Sequence, residues 1–135
     1  MVYLTRQEHF NAAHKLYNPA WSREKNEEVF GKCANENWHG HNYDLYVTVK
    51  GTPDPNTGFL FDVKQLSTII RQEVTEKLDH KNLNVDVEEF RTLNPTAENI
   101  VIVIYNLLRP HIASQNDLFI RLFETPRNFV EYPAQ

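Results

Sequence analysis

His39-Gly40-His41 opens a segment, Asn42-Tyr43-Asp44-Leu45-Tyr46-Val47-Thr48-Val49, that is rich in aromatic and β-branched residues. Such a run reads as a strand, here about His39 to Lys50. Residues i and i+2 of a strand share one face. The chain is therefore committed to a sheet at this point, with two imidazoles aimed at one place near its end. The glycine between them carries no side chain to obstruct what they hold. Two histidines so placed are two thirds of a catalytic zinc site, which takes three protein ligands and leaves a fourth position open.

Six histidines are available. Val2 to Ala12 reads as a first strand that continues to His14, with Phe10, Ala12 and His14 on one face. The first two are apolar, so His14 extends a core-facing row into a cavity. It is either a hydrogen-bonded core histidine or the third ligand, and hairpin pairing of the first two strands would bring the three imidazoles together. Cys33 lies six residues before His39. As a fourth ligand it would close a structural site, and as a neighbouring base it would leave the site open. Otherwise it is a small buried hydrophobe. Asp79-His80 ends a helix, where the dipole and an adjacent carboxylate both favour a protonated imidazole. The pair is a candidate for proton transfer or a simple helix-end contact. Glu124 closes a strand, where it either faces water or accepts two N–H bonds from a planar heterocycle. His9 and His111 read as surface or packing residues.

The remaining elements follow from local signals. Tyr17 to Asn37 is polar and without period, a loop of a length that is usually functional. Gly51 to Gly58 is a turn. Asp62 suits an N-cap, and Val63, Leu66, Ile69, Ile70, Val74 and Leu78 mark one apolar helix face ending near Asp79-His80. Pro95-Thr96-Ala97-Glu98 starts a second helix, with apolar residues from Ile100 to Leu108, and Pro110 stops it. Leu118 to Phe123 is a strand, Pro126-Arg127-Asn128 turns the chain, and Phe129 to Tyr132 returns. The order β-β-α-α-β-β is an α+β layout.

A chain of 135 residues, 41% hydrophobic and 24% charged, fits a single domain, 1–135. The net charge of -4 with no Lys/Arg run argues against nucleic-acid binding, though not against a small anion held by local cations. Asn99 to Leu108 is too short to span a bilayer, and the N-terminus has no signal pattern. One cysteine makes no internal disulfide, so a reducing, cytoplasmic setting is expected.

Five stretches, in order, resemble the 6-pyruvoyl-tetrahydropterin synthase / 6-carboxy-tetrahydropterin synthase family. They are Phe10 to His14, Gly31 to Tyr43, Leu78 to Asn84, Pro95 to Asn99 and Phe123 to Thr125. The resemblance implies a T-fold (tunnelling fold), a four-stranded antiparallel sheet with two helices on one face. It further implies sheets joined edge to edge in a homohexamer of two stacked trimers. Zinc would be held by His14, His39 and His41, with Cys33 as base. Asp79 and His80 would complete a proton relay, contributed from a neighbouring subunit. Glu124 would anchor the pterin ring, helped by Thr96 to Glu98. The implied substrate is 7,8-dihydroneopterin triphosphate, converted to 6-pyruvoyl-tetrahydropterin with loss of triphosphate.

Within the family, cysteine lies six residues before the first histidine in the biopterin-pathway type and four in the queuosine-pathway type. The spacing here is six, which favours the pyruvoyl product over 6-carboxy-5,6,7,8-tetrahydropterin. Glu36, three before His39, falls where a folate-pathway subfamily carries a catalytic glutamate. It is a second base or an ordinary loop residue. Lys15, Lys32 and Arg127 are candidates to neutralise the triphosphate. A non-catalytic zinc-binding domain or a pterin-binding module without turnover are the readings from other classes.

Overall fold

The computed structural model describes Met1–Gln135. Its sheet is organised by the long antiparallel pair β1 (Val2–His14) and β2 (His39–Gly51), in register from Val2 opposite Gly51 to His14 opposite His39. The alternation of side chains fixes this register. Phe10, Ala12 and His14 of β1 are buried, as are Tyr43, Leu45, Val47 and Val49 of β2. A slip of one residue would turn all of them to the opposite face. On the other side of β2 runs β4 (Asp117–Thr125), followed by β5 (Asn128–Tyr132), both antiparallel to their neighbours.

The expected four strands are present, but the sheet has five. A two-residue strand, β3 (Lys81–Asn82), pairs parallel with Ala12 and Ala13, giving the order β3-β1-β2-β4-β5. Two residues carry no periodicity, so nothing in the sequence marked this strand. It covers only the His14 end of β1, and the rest of that edge has no strand beside it.

Two helical runs cover one face. Asp62 caps α2 (Val63–Ile70), its Oδ1 accepting from the Lys64 N–H at 2.9 Å. The run continues through a wider turn, Arg71–Thr75, into α3 (Glu76–Leu78), so the span expected for the first helix is helical throughout. Leu66, Ile70, Val74 and Leu78 lie fully buried along it. Thr96 caps α5 (Ala97–Leu108), its Oγ1 accepting from the Asn99 N–H at 3.2 Å. Ile100, Ile104 and Leu108 face the sheet from that helix, within a 22-residue hydrophobic cluster that also takes in β1, β2 and β4. Each such Leu or Ile contributes about 1.5–3 kcal/mol on burial.

The segment expected as a loop from Tyr17 to Asn37 holds a helix, α1 (Arg23–Phe30), capped by Ser22, and a tight 3-10 turn, Gly31–Ala34. Its order comes from polar bonds. Asn26 is fully buried and accepts from the Asn18 N–H at 2.7 Å while donating to the Asn18 and Ser22 carbonyls. Asn26 is the helix's one buried residue, so α1 shows no apolar period. A further short helix, α4 (Leu83–Asp86), follows β3. No helix is long and apolar enough to cross a membrane. The sheet face away from the helices stays open, with a groove of ≈ 560 Å³ lined by residues that include Tyr3, Tyr46, Phe119, Arg121 and Glu131.

Candidate functional site

The β1–β2 register sets His14 directly opposite His39 and Ala12 opposite His41, all on the helix-covered face. Three imidazoles therefore meet at one end of the sheet. Their ring centroids are 4.5 Å (His14–His39), 5.1 Å (His14–His41) and 5.0 Å (His39–His41) apart. One nitrogen from each lies within 4.8 Å of the others. Gly40 sits between them on the opposite face, where a Cβ would meet the Ala12 carbonyl oxygen at an ordinary 3.7 Å. Its missing side chain clears the open face, not the histidine pocket.

His14 is 1% exposed and its Nδ1 donates to the Pro95 carbonyl at 2.8 Å, just before α5 begins. That bond fixes the tautomer and leaves Nε2 as an acceptor, buried and without a partner in the chain. Burial pushes the His14 imidazole down to about 4, against the Pro95 carbonyl, with His39 and His41 adding to the effect. His39 is lowered by the same two causes, burial first and then His41. Both of its ring nitrogens are buried and unpartnered. Deprotonated imidazoles with unsatisfied buried lone pairs, one oriented by a carbonyl behind it, are the donor set a metal ion requires. The three residues fit such an ion.

Cys33 is not part of that group. It lies half-buried in the 3-10 turn, a free thiol, with its carbonyl accepting from the Leu16 N–H at 2.8 Å two residues beyond His14. The closed four-ligand alternative therefore has no support here, since Cys33 lies outside the three-histidine group. Glu36 is exposed and also outside the group. It borders a cleft of ≈ 240 Å³ with Lys15, Arg23 and Glu27, where Glu27 first and then Glu36 favour the charged Arg23 guanidinium. Lys15 stands over the rings of Trp38 (4.9 Å) and Tyr17 (5.1 Å), its backbone clamped by Asn84.

Asp79 and His80 lie on the other side of β1. Asp79 Oδ1 accepts from the Asn11 N–H at 2.9 Å, and its Oδ2 meets His80 Nδ1 at 3.0 Å. The Asn11 bond, with His80 and His9 behind it, holds the Asp79 carboxyl below its usual range. His80 adopts a left-handed backbone (φ 58°), and its N–H donates to the Asn11 carbonyl at 2.6 Å. Its side chain is 78% exposed. His80 and His41 border the same open groove of ≈ 590 Å³, which also includes Gly40 and Asn42. Glu124, at the end of β4, is half-buried on the helix-covered face beside Tyr43. Thr96 serves as the α5 cap, and Glu98 is exposed in the first turn.

Three contributors were not read from the sequence. Tyr43 was legible, because the period that joins His39 to His41 extends to it. Pro95 was not, since its carbonyl reaches His14 across 81 positions of sequence. Trp38 holds a left-handed backbone (φ 59°) directly before His39 and buries its indole N–H.

The family model described as 6-pyruvoyl tetrahydropterin synthase matches residues 3–135. A 6-pyruvoyl tetrahydrobiopterin synthase of Dictyostelium discoideum is 40% identical over 135 residues, 99% of this chain and 97% of the relative. A 6-carboxy-5,6,7,8-tetrahydropterin synthase of Rickettsia bellii is 28% identical over 149 residues, 97% of this chain and 99% of its own. The solved structure of 6-pyruvoyl tetrahydropterin synthase from Caenorhabditis elegans superposes with a TM-score of 0.92 at 36% identity, covering 99% of this chain and 96% of that one. With the shared fold and near-complete matches, the chain belongs to the 6-pyruvoyl tetrahydropterin synthase family.

Proposed function

We propose that this protein is a zinc-dependent lyase that converts 7,8-dihydroneopterin triphosphate to 6-pyruvoyl-tetrahydropterin and triphosphate. The observation that carries the reading is the open group of three imidazoles, within 4.8 Å of one another and combined with a half-buried thiol outside it. His14, His39 and His41 would hold the zinc. When bound, it supplies a Lewis acid for the side-chain hydroxyls, lowering the cost of taking a proton from carbon. Cys33 as thiolate takes that proton, and His80, oriented by Asp79, returns one elsewhere. The bond to triphosphate breaks, and the oxidation of the side chain balances the reduction of the ring. No nicotinamide is needed. Glu124 accepts from the amino and ring N–H groups of the pterin, and the Thr96–Glu98 start of α5 borders the ring site.

Lys15, Lys32 and Arg127 belong to none of the chain's ion pairs, and each stays a candidate cation for the triphosphate. The uncovered length of β1 and the outer edge of β5 support edge-to-edge assembly into a homohexamer, in which a neighbour's Asp79–His80 would complete each site. A single unpaired cysteine is consistent with a cytoplasmic setting.

The second reading, a 6-carboxy-5,6,7,8-tetrahydropterin synthase, shares the metal group, and the spacing of six from Cys33 to His39 weighs against it. A Cys33→Ala variant distinguishes an enzyme from a binder. We expect it to keep one zinc per chain and lose triphosphate release. Undiminished release would remove Cys33 from the chemistry.

A further inference from the structure

Tyr43 is 0% exposed, and its hydroxyl has no hydrogen-bond partner in the chain. Phenylalanine would fill the same space without that cost. The ring is fixed by a stack on Phe10 (4.8 Å, 15°) and edge contacts to His41 (5.7 Å) and His14 (6.4 Å). The β2–β4 ladder ends at Asp44 opposite Phe123, which places Tyr43 and Glu124, the next residue of each strand, side by side at its open end, each two positions from the buried pair Leu45–Leu122. Glu124 belongs to none of the chain's ion pairs. On its other side, the β4–β5 register shifts between Phe123 and Thr125, which leaves Glu124 without a partner residue on β5.

A buried donor without an acceptor and a half-buried acceptor without a donor thus lie at the same end of the sheet beside the histidine group. We propose that Tyr43 is a positioning residue: when a planar heterocycle binds, its phenol donates to one oxygen of Glu124 and holds the carboxylate flat against the adjacent N–H donors of the ring. The proposal rests on the reading of Glu124 as the pterin anchor. In the free chain the phenol is buried and unsatisfied, and accepting from it on binding satisfies the phenol and fixes the carboxylate together.

The test is calorimetric binding of 7,8-dihydroneopterin, which has the ring and no triphosphate, to the zinc-loaded protein. Tyr43→Phe, Glu124→Gln and the double variant are compared, with metal content and melting temperature measured for each. We expect Tyr43→Phe to weaken binding roughly tenfold, the loss of one hydrogen bond to a charged group. Zinc per chain should be unchanged and the melting temperature no lower than the parent's. In the Glu124→Gln background, where the phenol meets only a neutral amide oxygen, Tyr43→Phe should cause a smaller further loss. Unchanged affinity in Tyr43→Phe, or an equal loss with and without the Glu124 carboxylate, would overturn the proposal. A Tyr43→Phe protein that fails to fold would overturn it too, by giving the phenol a structural partner. If the parent itself binds no dihydroneopterin, the pterin reading of Glu124 fails, and the proposal falls with it.

Discussion

The histidines at the end of this sheet are held in two opposite ways. His14, His39 and His41 sit on the helix-covered face, one chain supplies all three, and burial first and neighbouring histidines second push His14 and His39 towards the neutral form. His80 sits across β1 at the sheet edge, 78% exposed, tied to Asp79 and the Asn11 backbone and to nothing else in the chain. The first is a pocket in which ring nitrogens of His14 and His39 are buried and without partners in the chain. The second is a side chain oriented at one end and open at the other. A catalytic site that needs both a soft, dry donor set and a proton carrier in contact with water is well served by separating them this way. The separation also makes the two corners fail differently.

The sharpest break comes at the dry corner. His39→Ala should abolish tight zinc binding and activity together, because two imidazoles do not make a site. Atomic absorption on the dialysed variant checks this, and retained stoichiometric zinc would remove His39 from the ligand set. Next is Cys33→Ala, expected to lower turnover by roughly 10²–10⁴-fold, the usual contribution of a positioned base, with zinc retained. Steady-state triphosphate release measures it. Third, His80→Ala should also lose turnover while keeping zinc, and mixing it with Cys33→Ala protein under subunit exchange should restore part of the activity. No recovery in verified mixed oligomers would mean that each chain uses its own relay.

The smallest effect is on stability and pH. His14 titrates near 4 when folded against 6.5 unfolded, so between those values the unfolded chain binds the proton that the folded pocket refuses. Stability of the metal-free protein should therefore fall as pH drops through 6.5, by on the order of 3 kcal/mol at pH 4, with His39 adding in the same direction. Asp79, lowered from 3.8, acts only in more acid solution: its contribution is present above that value and is lost as pH falls through its folded value. Urea melts of metal-free protein at pH 7 and pH 4.5 test this. A flat profile would contradict the dry pocket.

Period carried most of what could be read in advance. The alternation Phe10-Ala12-His14 and His39-His41 gave the shared face, and the long antiparallel register turned that into a meeting of three rings. Helix positions followed from Asp62, Thr96 and the apolar spacing behind each. What escaped was non-local or too short to have a period. β3 is two residues long, α1 is organised around a buried asparagine, and the Pro95–His14 bond joins segments with no sequence relation. The sheet face was legible for His14, His39 and His41. Distance between the two corners was not, because it depends on where Asp79 returns to Asn11 after the first helical run.

The most direct test is mass-spectrometric analysis of the products formed by the zinc-loaded protein from 7,8-dihydroneopterin triphosphate. The account predicts 6-pyruvoyl-tetrahydropterin with one equivalent of triphosphate released. Unchanged substrate would contradict an enzyme at this site, and a carboxy or hydroxymethyl pterin would contradict the assignment of its product.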